Sequence, residues 1–120
     1  RKLCDKCKQA YQPTPQVLQQ LGFPTGKPLT FYRTPQPTPE QPNIEPCEHC
    51  GGIGYYGITG LFEWWTIDET IRKVLANTPK LDLLRKAAQK AGMRPMQEEG
   101  LLLVAKGVIS LQELSRVMKL

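Results

Sequence analysis

Cys47-Glu48-His49-Cys50-Gly51-Gly52-Ile53-Gly54 carries one of two Cys-x-x-Cys pairs; the other is Cys4-Asp5-Lys6-Cys7, and the chain holds no further cysteine. A Cys-x-x-Cys turn points both sulfurs to one side. Two such turns facing each other supply four thiolates in the tetrahedral array that Zn²⁺ accepts. The spacing therefore predicts one structural Zn²⁺ held by Cys4, Cys7, Cys47 and Cys50, closed to water because every coordination position is filled. Thirty-nine residues, Lys8 to Pro46, separate the pairs; the spacer of a short zinc ribbon is roughly 15 to 20. The extra length costs little: each doubling of a flexible loop adds roughly 0.6 kcal/mol, against roughly 10 to 16 kcal/mol for structural zinc.

Two disulfides, a redox pair or an iron tetrathiolate are the alternatives that the cysteines leave open. His49 lies inside the second turn and, with four thiolates at hand, is expected to be a spectator. Arg1, Lys2, Lys6 and Lys8 surround the first turn and are expected to be a solvated terminus; the lesser reading is that their positive charge lowers thiol pKa values and offsets a tetrathiolate's negative charge.

Moving outward, the 120 residues are 40% apolar, enough for one modest core. Sixteen Lys and Arg against eleven Asp and Glu give a charge of +5, but the signs are interspersed, which excludes a nucleic-acid-binding tail. No apolar run is long enough to span a bilayer, and Arg1-Lys2-Leu3-Cys4 is not the start of a signal peptide, so the chain is expected to be soluble. Nine of the eleven prolines fall between Pro13 and Pro46. Within that stretch Val17, Leu18 and Leu21 predict one short helix after Pro15, and Leu29-Thr30-Phe31-Tyr32 one strand. Pro35-Gln36-Pro37-Thr38-Pro39 reads as an extended spacer arching over the metal site.

Gly51 to Gly60 forms a turn-rich glycine series, and no Gly-Lys-Ser or Gly-Lys-Thr triplet makes a phosphate-binding loop of it or of any other segment. Leu61 to Thr66 reads as a strand with Trp64 and Trp65 on opposite faces. Beyond it the period becomes helical. Ile67, Ile71, Val74 and Leu75 mark a helix with Thr66 and Glu69 as capping box, ending before Pro79. Leu81, Leu84, Ala88 and Ala91 mark a second closed by Gly92; a third runs from Pro95 to Gly107; Ser110 and Glu113 cap a fourth through Leu111, Leu114, Val117 and Met118. No catalytic constellation emerges. The carboxylates Glu63, Asp68, Glu69, Asp82, Glu98, Glu99 and Glu113 are expected to be caps and solvated faces.

Arg1-Lys2-Leu3-Cys4-Asp5-Lys6-Cys7-Lys8 and Cys47-Glu48-His49-Cys50, followed by Gly54-Tyr55-Tyr56-Gly57-Ile58-Thr59-Gly60-Leu61-Phe62-Glu63, resemble the tetracysteine C-terminal region of type II secretion and type IV pilus assembly ATPases. Gly107-Val108-Ile109-Ser110-Leu111-Gln112-Glu113 echoes that family's terminal segment, while Ile58 stands where the family has arginine. The resemblance implies a piece of a longer motor, its P-loop and acidic, histidine and aspartate boxes upstream, so that this chain alone would not be an enzyme. It implies a cytoplasmic homo-hexamer as parent, peripheral to the inner membrane through a platform protein. The upstream ATPase domain would be this chain's first partner, with no nucleic acid expected.

The expected fold class is α+β: residues 1–66 a zinc-knuckle region with short strands and a proline-rich insert, and residues 67–120 about four short helices packed on it as one compact unit. The rival reading is a free-standing zinc ribbon that binds nucleic acid or a protein partner. Its sole support is the basic charge, since no cation interleaves with Tyr55-Tyr56 or Trp64-Trp65.

Overall fold

The computed structural model describes residues 1–24 and 28–118. It is a small α+β fold, as expected, with elements β1 (Gln9–Tyr11), α1 (Pro15–Gln20), β2 (Phe31–Arg33), α2 (Glu69–Asn77), α3 (Leu81–Lys90), α4 (Met96–Ala105) and α5 (Leu111–Val117). They divide into two compact units that interleave along the chain: Arg1–Gly60 with Gly100–Leu120, and Leu61–Glu99.

In the first unit β1 and β2 pair antiparallel, with Gln9 opposite Arg33 and Tyr11 opposite Phe31. A two-stranded ribbon is marginal alone, and this one is stabilised by what covers it. Phe31 is fully enclosed, with Tyr11 and Phe23 both edge-on to its ring, and α5 packs against β2. Leu18 from α1, Leu101 and Val104 from α4, Ile109 and Leu114 are buried in the same unit. Helix α1 begins as the sequence predicts, Thr14 accepting from the Val17 N–H and Pro15 occupying the first helical turn.

Two glycines set how closely the last helices approach. A Cβ at Gly100, inside α4, would lie 2.5 Å from Leu114 Cδ1, so the helix tolerates a poor helix former where α5 needs the room. Gly107, at φ +67, closes α4: its N–H donates to Val104 O and the Val108 N–H to Leu103 O, both at 2.9 Å. That pair of bonds satisfies the orphan carbonyls of the last turn.

The second unit is the α2–α3 hairpin and the segment leading into it. Here the structure corrects two expectations. Leu61 to Thr66 has no strand partner among the described residues, although its side chains alternate in burial as extended chain does; Trp64 is 77% exposed and Trp65 half-buried. The cap of α2 is Asp68, accepting from the Ile71 N–H at 2.9 Å, and not Thr66. An aspartate next to the first helical residue forms the shorter capping bond and adds a charge that the helix dipole favours. Glu63 does cap a helix, at long range. Its Oε2 accepts from the Met96 N–H at 3.1 Å at the start of α4, and its Oε1 from Trp65 Nε1 at 2.7 Å. These two donors hold its carboxyl below the usual carboxylate range.

Candidate metal centre

The first cysteine turn is closed by the Cys7 and Lys8 N–H groups, which donate to Cys4 O at 3.3 and 2.9 Å; the second by the Gly52 N–H to Cys47 O at 3.1 Å and the Ile53 N–H to Cys50 O at 3.3 Å. The turns are then aligned by main-chain bonds. Lys2 N–H donates to Gly57 O, Tyr56 N–H to Lys2 O, and Cys4 N–H to Gly54 O, all between 2.9 and 3.0 Å, with Leu3 opposite Tyr55. On its other edge Leu3 N–H donates to Val108 O at 2.8 Å. Leu3, itself buried, thus joins the cysteine region to the turn between α4 and α5.

Those bonds bring together the four cysteines predicted from the sequence. Their Sγ atoms all lie within 4.8 Å of one another, with Cys4 to Cys47 at 4.0 Å and Cys7 to Cys50 at 3.7 Å. All four are free thiols. A tetrahedron with Zn–S bonds of about 2.3 Å has edges of about 3.8 Å, so the donor set fits zinc in number, type and spacing. His49 is outside this set, its ring lying on that of Tyr56 at 4.2 Å between centroids.

Gly54 is the residue that sequence reasoning missed. Its N–H donates to Cys50 Sγ at 3.2 Å in a buried setting, while its carbonyl accepts from Cys4, so one residue ties a sulfur of the second turn to the backbone of the first. Its φ is +79, and a Cβ there would sit 2.7 Å from Thr34 Cγ2. The signal in the sequence was a glycine four residues after Cys50, lost among its neighbouring glycines.

Burial alone would push the Cys50 thiol up, but the Gly54 N–H and the thiols of Cys7, Cys47 and Cys4 outweigh it and bring it down to about 7. Cys7 moves the other way, raised by burial and by the same neighbouring thiols. The cluster thus yields its first proton readily and later ones reluctantly, and a divalent cation removes that opposition.

Two of the basic residues around the first turn are engaged away from the sulfurs. Lys8 Nζ donates to Asp5 Oδ1 at 2.6 Å and to Gly107 O at 3.0 Å, and lies over the Tyr32 ring. Arg1 lies over the Tyr55 ring and donates to Glu113 through Nε and Nη2, at 3.0 and 2.7 Å. Glu113 is correspondingly not on a solvated face. Its side chain is 3% exposed and also accepts from Arg116. The Ser110 half of the expected capping box is present, Oγ accepting from the Glu113 N–H at 3.1 Å, while the Glu113 carboxylate turns to the two arginines.

A family model described as type II/IV secretion system protein matches residues 1–116. The chain belongs to that family. Among its secretion-family relatives, the protein transport protein HofB homolog of Escherichia coli is 33% identical over 98% of this chain and 23% of its own length. The type IV pilus assembly ATPase PilB of Thermus thermophilus is 27% identical over 94% of this chain and 12% of its own length. The type II secretion system ATPase E of Vibrio cholerae is 26% identical over 99% of this chain and 22% of its own length. The chain thus spans less than a quarter of each of these relatives. Ile58 is 84% exposed. No helix among the described residues is long and apolar enough to cross a membrane.

Proposed function

We propose that this chain is the metal-binding C-terminal portion of a secretion or pilus-assembly motor, stabilised by one structural Zn²⁺ on Cys4, Cys7, Cys47 and Cys50. The observation that carries this reading is the convergence of four free thiols within 4.8 Å from turns that are 43 residues apart. When bound, the ion supplies a cross-link and no reactive position, because four sulfurs complete its coordination. The chain's own residues do the rest: Gly54 orients Cys50, Leu3 links the first turn to Val108, and Glu113 binds Arg1 to α5.

The motor's chemistry belongs to the rest of the parent protein. This chain contains no Gly-Lys-Ser or Gly-Lys-Thr triplet, and its single histidine is stacked on Tyr56. The names of the relatives and the resemblance in sequence support a parent that hydrolyses ATP as a cytoplasmic homo-hexamer. It would dock on an inner-membrane platform protein, with the upstream ATPase domain as this chain's immediate partner.

Elemental analysis of the purified chain, with a free-thiol count in denaturant, tests the metal reading. One zinc and four free thiols per chain is the expected result. No metal and no free thiols would mean disulfides and would overturn it. Phosphate release from Mg·ATP by the same preparation is expected to stay at the level of a mock purification.

A further inference from the structure

The four sulfurs differ in access. Cys4 is fully enclosed and Cys50 is 6% exposed, whereas Cys7 and Cys47 are half-buried. Both half-buried cysteines line one cavity of about 270 Å³, whose mixed walls set Thr34 and Glu45 beside Pro35, Ile44, Pro46 and Ile53. Each close sulfur pair therefore joins an enclosed residue to an accessible one: Cys4 with Cys47, and Cys50 with Cys7. The enclosed members are also the ones held by Gly54, through Cys50 Sγ and through the Cys4 N–H. Cys7 and Cys47 Sγ receive no backbone donor among the described residues.

We infer that the Cys7/Cys47 edge is a thiol-modification and ligand-exchange site, entered from this cavity by small apolar electrophiles or thiols, with Cys4 and Cys50 as anchors that react last. Both halves rest on the zinc reading above: a bound cation holds all four sulfurs as thiolates and leaves access to set their order. The cavity takes a molecule of maleimide size, and the Glu45 carboxylate in its wall disfavours an anionic one. Reactivity follows access as well as thiolate character, and at this site access separates the sulfurs into two pairs. Pro35 and the Ile44–Pro46 segment, from the two ends of the proline-rich insert, both line the cavity.

N-ethylmaleimide is a direct probe. A thiolate Sγ adds to one alkene carbon, the ring C=C becomes a single bond, and a proton from water or from the thiol completes the neighbouring carbon; no oxidant is needed. The purified chain, its metal content measured on the same sample, is pulsed with substoichiometric reagent and the label is located by peptide mass spectrometry. Cys7 and Cys47 are expected to label about five-fold or more ahead of Cys4 and Cys50. Ile53→Trp, at a position 66% exposed, is expected to slow both labelling and chelator-driven metal loss at unchanged metal content. Equal labelling of all four cysteines, Cys4 or Cys50 leading, or unchanged rates in Ile53→Trp would each overturn the inference. A sample without metal would sink the zinc reading and this one with it, whereas a zinc-loaded sample that labels all four cysteines equally sinks this one alone.

Discussion

Arg1 and Glu113, 112 residues apart, are joined by two charged hydrogen bonds, Nε to Oε1 at 3.0 Å and Nη2 to Oε2 at 2.7 Å. The chain three residues before Cys4 is thereby fastened to α5. Arg1 first and Arg116 second hold the Glu113 carboxyl far below the usual carboxylate range. A folded-state pKa depressed in this way contributes stability that is fully present above the unfolded pKa of about 4.3 and is lost as pH falls toward the folded value. Glu113→Gln is expected to cost about 2 kcal/mol at pH 7. The gap between variant and parent should narrow below pH 4 in urea titrations; a gap independent of pH would show that the charge is not what matters.

Gly107 is where a single methyl group should do most harm. Its φ of +67 excludes most side chains, and a Cβ would sit 2.5 Å from Tyr32 Cδ2, a ring atom that cannot yield alone. Gly107→Ala should destabilise by about 2 to 4 kcal/mol, left-handed strain and overpacking combined. Gly22→Ala is the control, with similar φ and open space around it, and should cost only about 1 kcal/mol. Equal shifts in urea midpoint would remove Tyr32 from the account.

Gly54→Ala addresses the metal centre itself. The methyl group meets Thr34, and the N–H that serves Cys50 Sγ must move. Losing such an outer-shell partner lowers metal affinity roughly 10- to 100-fold, which a chelator competition would measure. Thr34→Gly in the same chain should recover part of the loss, since both crowding atoms, Cγ2 and Cβ, are gone while the backbone strain at residue 54 stays.

Replacing Cys47 by serine removes one of four ligands, and metal binding is expected to collapse. Hydrogen exchange should then accelerate through residues 1–60 and 100–118, because α5 and the cysteine turns share one unit, while α2 and α3 keep their protection. Loosening confined to residues 1–60 would show that α5 does not depend on the metal.

The convergence of the four cysteines was legible because cysteine spacing is a chemical statement that survives any fold: two turns of fixed size need only be brought face to face. The helices were legible too. Gly92 and Gly107 end α3 and α4, and Ser110 caps α5, where the pattern places them. Contacts between residues far apart in the chain were not. Glu113 carries a capping-box spacing, and nothing local reveals that Arg1 competes for its carboxylate. Glu63 stands in a β-rich run, yet its partner is the Met96 N–H, 33 residues on. Lys8 reads as an exposed charge until Gly107 O is placed beside it. Each of these side chains was assigned to its own neighbourhood, and each is used elsewhere.

The bond from Leu3 N–H to Val108 O, with the Arg1–Glu113 pair beside it, has a consequence for how the protein is made. A ribosome has delivered all four cysteines by residue 50, whereas Glu113 follows 63 residues later. At about 5 to 20 residues per second, that is an interval of about 3 to 13 s. During this time the nascent thiols are complete as a set but lack the helix that finishes their unit. Metal capture can therefore precede the last helix, leaving a loaded, half-built knuckle on which the chain's end then closes.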